Sequence, residues 1–103
     1  MEEVTAIRVH HVAARSLVLT LSGVVDASCA GRLADQFARR GDRRVVVDLL
    51  DATFVDAEVQ SFLVSTAERD AITVVAAPWL LHVFELTRHT RSLRLATSLA
   101  AAL

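Results

Sequence analysis

The chain predicts a small α/β domain, a mixed, mainly parallel sheet packed with about four helices. Val45, Val46 and Val47 follow one another, as in a strand covered on both faces. Apolar residues at helical spacing flank that strand, with Leu33, Ala34 and Phe37 before it and Val59, Phe62 and Leu63 after it. A second apolar run, Ile72 to Ala76, follows the later helix, so strand-helix-strand units repeat. Such units imply parallel pairing through right-handed crossovers. With 103 residues, 53% of them hydrophobic, the chain suits one domain over residues 1–103. A domain of this size buries roughly 60 to 70% of its extended-chain surface.

Each element has its own local cause. Val4 is followed by Ile7, Val9, His11 and Ala13 at alternate positions, and Leu17, Leu19 and Leu21 alternate likewise, which predicts two adjacent strands joined by a turn near Ala14 to Ser16. Gly23 interrupts this pattern, and Asp26 suits the cap of a helix that buries Ala30, Leu33, Ala34, Phe37 and Ala38. Gly41 and Asp42 end it. Arg43 to Leu50 is the central strand, and Asp51 to Phe54 leads into a second helix that buries Val59, Phe62, Leu63, Thr66 and Ala67 and ends near Arg69-Asp70. Ile72 to Ala76 is another inner strand. Pro78 opens a third helix that buries Leu80, Val83 and Phe84 and stops around Arg88 to Arg91. Ser92 to Ala96 is an edge strand and Thr97 to Leu103 a closing helix, while Trp79 and Leu81 add apolar area outside the core and Leu86 is open to either place.

Composition excludes several function classes. Twelve acidic and 11 basic residues leave a net charge of −1, which gives no broad field for nucleic acid or an anionic membrane. No apolar run approaches the roughly 20 residues of a membrane span, and the Met-Glu-Glu start lacks a basic n-region, so a cytoplasmic location is expected. Cys29 is the only cysteine, which rules out an intramolecular disulfide. It reads as a small packing residue, with a helix-activated thiol as the reactive alternative. His10, His11, His82 and His89 make no metal signature with acidic neighbours. Gly23, Gly31 and Gly41 are too dispersed for a phosphate loop, and no serine has the surroundings of a nucleophile turn. No cofactor is expected.

The most informative segment is Phe54-Val55-Asp56-Ala57-Glu58-Val59, at a strand-to-helix junction. The N–H groups of a first helical turn attract negative charge. Asp56 supplies it as a cap, and Glu58 adds a second carboxylate within the turn. With Asp48 and Asp51 nearby, these residues suggest a fixed acidic docking surface. Acid/base chemistry would need two separated carboxyl pKa values and a cleft between them, which the flanking residues do not promise.

Order and spacing together resemble the STAS domain family, which includes anti-sigma factor antagonists, stressosome proteins and cytoplasmic regions of sulfate transporters. Leu21-Ser22-Gly23-Val24-Val25-Asp26 resembles the family's Leu-x-Gly-x-Leu-Asp before its first helix, Val46-Val47-Asp48-Leu49 the strand before its signature turn, and Phe54-Val55-Asp56 the opening of that turn. Val83-Phe84-Glu85-Leu86-Thr87 resembles the end of its third helix. Phosphorylatable members continue with Ser-Ser-Gly and are modified on the second serine; here Ala57, Glu58 and Val59 stand there. Glu58 is thus the phosphoacceptor equivalent, with one negative charge where phosphoserine places nearly two. Arg88-His89 also replaces the usual Gly-hydrophobic pair, and the segment from Glu58 to Ile72 is shorter than in typical members by about one helical turn.

The resemblance implies a non-enzymatic, non-phosphorylatable regulator that binds a protein partner through Asp26, Asp56, Ala57, Glu58 and Val59, the partner being an anti-sigma factor of the histidine-kinase-like ATPase class. The alternatives are a STAS subunit of a lipid or other ABC transporter and a stressosome component. No nucleic acid and no membrane insertion are expected. A monomer is the expected state in dilute solution, with a homodimer as its rival through the edge strands Val4 to Ala13 or Ser92 to Ala96.

Overall fold

A computed structural model of the chain describes residues 6–13, 15–69, 72–86 and 93–102. The expected element limits at Val4, Ala14, Asp70, Arg88 to Ser92 and Leu103 lie outside the described residues, as do the side chains of His10, His11 and Leu86. Strands β1 (Ala6–Ala13) and β2 (Ser16–Val25) form an antiparallel pair in which Ile7 faces Leu21 and Val9 faces Leu19. β2 then serves as the parallel neighbour of β3 (Arg44–Asp48), which pairs with β5 (Ile72–Val75), which pairs with β6 (Arg94–Ala96). The sheet order is β1-β2-β3-β5-β6, so β1 and β6 form its edges.

A sixth strand departs from the sequence expectation. Ala52–Val55, expected as part of a connection, is β4 and runs parallel to the last residues of β2. β2 outlasts β3: their pairing stops at Thr20 and Asp48, and from Gly23 onward β4 takes the vacated side. Four residues without apolar alternation carry no strand signal of their own, and β4 exists because β2 presents it an unpaired edge. Gly23 accordingly does not interrupt the strand. It adopts a left-handed φ of 79°, donates its N–H to Asp51 O at 3.1 Å, and marks a register shift against β4.

The alternation of β2 separates two cores. Leu17, Leu19 and Leu21 join Val45, Val47, Ile72 and Val74 on one face, covered by α1 (Ala30–Ala38), α2 (Ala57–Ala67) and α3 (Pro78–Leu86). Leu33 and Phe37 of α1, Val59 and Leu63 of α2, and Leu80 and Phe84 of α3 are the principal helix contributions. Phe37 meets Phe62 of α2 edge to face, with ring centroids 5.7 Å apart. Phe62, Ala67 and Val83 pack against this core while partly exposed, and Leu81 does so too, contrary to its expected place outside. Trp79, half exposed, lies outside as expected. The opposite face holds a smaller cluster of Val18, Val46 and Val75, packed by Leu99 and Ala102 of the short α4 (Leu99–Ala102). Val45, Val46 and Val47 are therefore all buried because the two faces of β3 have different covers.

The glycines give a prediction of opposite signs. Gly31 lies in α1 with nothing near the position of an added Cβ, so Gly31→Ala should stabilise the domain by about 0.5 to 1 kcal/mol. Gly23→Ala forces a side chain into left-handed backbone and should destabilise it by about 1 to 2 kcal/mol. Urea unfolding of both variants beside the parent checks the pair.

Candidate functional site

Parallel strand-helix units bring strand C-termini and helix N-termini to one edge of a sheet, and here that edge is acidic. Val25 and Val55 are register partners at the ends of β2 and β4, so the residues that follow them, Asp26 and Asp56, emerge side by side. Asp56 is the cap of α2: its Oδ1 accepts from Val59 N–H at 2.9 Å. Its Oδ2 accepts from Ala27 N–H, also at 2.9 Å, and its own N–H donates to Val25 O at 3.0 Å. One residue thus ties the start of α2 to the end of β2 and to the turn that follows. The cap follows from the sequence, whereas the reach to Ala27 spans 29 residues and rests on the β2–β4 pairing.

Asp26 does not cap α1 directly, as the sequence suggested. It caps a single 3-10 turn, Ala27–Cys29, through a bond from Ser28 N–H at 3.0 Å and one from the Ser28 hydroxyl. Cys29, the residue before α1, makes no side-chain cap. The tighter turn arises because the side chains of Asp26 and Asp56 together satisfy the N–H groups of Ser28 and Ala27. The Ser28 hydroxyl, and then the Ser28 N–H, hold the Asp26 carboxyl below its usual range. Asp26 therefore stays ionised near neutrality and is unsuited to general acid work. Cys29 is fully buried in the main core, and burial pushes its thiol above the usual value despite the opposing charge of Arg32. That is the chemistry of a packing residue.

The remaining expected site residues divide by exposure. Ala57 and Glu58 are exposed in the first turn of α2, and Phe54 and Leu50, half and two-fifths exposed, add apolar area on β4 and after β3. Val59 is fully buried, so its side chain belongs to the core and only its N–H, held by Asp56, serves this edge. Asp48 closes the β3 end by accepting from Leu50 N–H at 3.0 Å. Along α2, Ala57, Glu58, Ser61, Phe62 and Ser65 line an open groove of about 460 Å3. The exposures of Phe54 and Leu50 were not legible from sequence, because strand β4 was not. Among the described residues no cluster of three or more His, Cys, Asp or Glu is placed to hold a metal ion, and no helix is long and apolar enough to cross a membrane.

An anti-sigma factor antagonist from Mycobacterium paratuberculosis superposes with a TM-score of 0.82 at 21% identity, covering 96% of this chain and 91% of that one. The chain has the STAS, or SpoIIAA-like, fold. The unphosphorylated form of the anti-sigma factor antagonist SpoIIAA matches with a TM-score of 0.71 at 12% identity, over 94% of this chain and 93% of that one. The phosphorylated Bacillus SpoIIAA gives 0.69 at 15%, over 94% and 96%. No family model and no curated protein matches the sequence. The SpoIIAA-like fold is thus shared with little sequence in common.

Two predictions follow from this geometry. Asp56→Ala removes the acceptors of two N–H groups and should destabilise the domain by about 2 kcal/mol, while Asp56→Asn, which keeps one carbonyl oxygen, should lose about half as much in thermal or urea unfolding. The pH dependence of Asp26 has a definite sign. Folding lowers its pKa, so its contribution is complete above the unfolded value of about 4 and is lost as pH falls through the lower folded value. The stability difference between the parent and Asp26→Asn should shrink on acidification below about pH 4 and stay constant between pH 5 and 8.

Proposed function

We propose that this chain is a non-enzymatic, non-phosphorylatable STAS regulator that acts in the cytoplasm by binding an anti-sigma factor of the histidine-kinase-like ATPase class. The observation that carries this reading is the exposure of Glu58 in the first turn of α2, where the family motif has its phosphoacceptor serine. The solved structures of similar fold that are described as anti-sigma factor antagonists support an anti-sigma factor as the partner.

Chemistry at the edge fits recognition better than turnover. Asp26 and Asp56 spend their oxygens on backbone N–H groups and the Ser28 hydroxyl, so their carboxylates hold the surface in shape. Glu58 is left as an exposed charge on a rigid support, flanked by Ala57 and within the same edge as the half-exposed Phe54. A fixed carboxylate there gives the surface a permanent part of the charge that phosphorylation would add reversibly. The regulator is then set by its abundance, without a phosphorylation switch.

Calorimetric titration of the chain with its cognate anti-sigma kinase tests the reading. Direct binding is expected, and Glu58→Ser should tighten it by about tenfold, as removal of a charge opposed by the partner does. It should also create a site that the kinase modifies. Unchanged affinity in a folded Glu58→Ser variant sinks the imitation of phosphoserine. Binding only to a transporter ATPase subunit, with none to the kinase, overturns the regulator itself.

A further inference from the structure

Far from the acidic edge, α1 and α2 leave a second opening near their C-terminal ends. It has a volume of about 420 Å3 and is lined by Ala34, Phe37, Ala38 and Arg40 from the α1 side and by Phe62, Thr66 and Arg69 from the α2 side. Its floor is the edge-to-face pair Phe37–Phe62, and the Thr66 hydroxyl donates to Phe62 O of the same helix at 2.7 Å. Among the described residues, the ionisable members of this lining are the two arginines. We propose that this groove is a docking site for an acidic, aromatic-bearing segment of a partner polypeptide, separate from the Glu58 edge.

Charge identifies the occupant. The N-terminal ends of the parallel strands carry Arg15, Arg44 and Arg94, and the C-terminal end of α1 carries Arg39, all exposed at the same end of the molecule. Asp35, Asp42 and Glu68, also exposed there, dilute this field without entering the groove lining. A nucleic acid backbone calls for an unbroken basic track, and the chain's balanced net charge opposes it. The phenylalanine floor with an arginine rim instead suits alternating acidic and aromatic side chains. Arg40 already donates from Nη1 to Phe37 O at 2.6 Å, closing the end of α1, which fixes its guanidinium at the rim. Phe62 also lines the groove that runs down from Glu58, so a polypeptide lying along α2 has continuous apolar footing that a small anion does not need.

This inference stands without the anti-sigma reading, and its test uses no anti-sigma factor. A fluorescein-labelled dodecapeptide of repeating Glu-Glu-Phe is titrated with the full chain by fluorescence anisotropy, beside a Lys-Lys-Phe repeat and a thymidine oligonucleotide. Saturable binding of the acidic peptide alone, weakened by added salt, is expected. Arg69→Glu, at an exposed position, should weaken it at least about tenfold, Ala38→Trp should block it by filling the groove, and Glu85→Gln, exposed on α3 and in neither groove, should leave it unchanged. Amide shift perturbations in the parent protein should centre on residues 34–40 and 62–69, a readout independent of how any variant folds. Absence of saturable binding, equal affinity in folded Arg69→Glu, tighter binding of the oligonucleotide, or shifts centred on Glu58 would each overturn the proposal.

Discussion

The Asp56 carboxylate is the contact on which the functional edge depends. Its two oxygens accept from Val59 and Ala27 while its backbone N–H donates to Val25, so the starts of α2 and of the 3-10 turn and the end of β2 share one residue. Remove that carboxylate and two N–H groups from separate segments lose their partner together, each of them worth about 1 kcal/mol or more when left unsatisfied. The pairing of β2 with β4 is what makes this economy available, because Val25 and Val55 in register deliver Asp26 and Asp56 to adjacent positions. Sheet topology and capping are therefore one arrangement here: the ladder sets the spacing, and the carboxylate locks the helix starts to it.

That arrangement also sorts the acidic residues. Asp26, Asp48 and Asp56 each accept from backbone N–H groups close to the ends of their strands, and each is explained by the geometry of those ends. Glu58 has no such assignment and stands exposed. A helix start favours a carboxylate by about 0.3 to 1 kcal/mol, which is enough to retain Glu58 without a partner but too little to require it once Asp56 is present. The side chain that the fold needs least is the one best placed to be read by another protein.

Most of the architecture was legible because it follows from burial. Val45 to Val47, the alternating leucines of β2 and the helical spacing of Leu33 and Phe37 each report a face that must be covered, and the structure covers them. What escaped was set by partners distant in sequence. β4 has four residues and no period of its own, and it exists because β2 extends beyond β3. Gly23 read as a break because a glycine within a strand pattern gives the same signal whether the chain stops or bends. At the site, the Asp56 cap was visible from its three-residue offset to Val59, whereas its bond to Ala27 was not, and the burial of Val59 was legible as part of the α2 core face even though the family motif also places that residue at the edge.

The opposite end of the molecule obeys the same logic with the sign reversed. Strands that run parallel and helices that return against them put helix N-termini at one edge and C-termini at the other, so capping alone separates charge. Arg40 donates to Phe37 O and Arg43 Nε to Arg40 O, which neutralises the carbonyl end of α1 as Asp56 neutralises the amide end of α2. A charge gradient across a small α/β domain is therefore no sign of function by itself. Residues that the capping leaves exposed are more informative, and α2 has them beyond both ends of its core face: Glu58 in its first turn, and Glu68 and Arg69 just past its last. With Phe62 between them lining the grooves on both sides, α2 holds the fold through Val59 and Leu63 and carries its charge at the two ends of its outer surface.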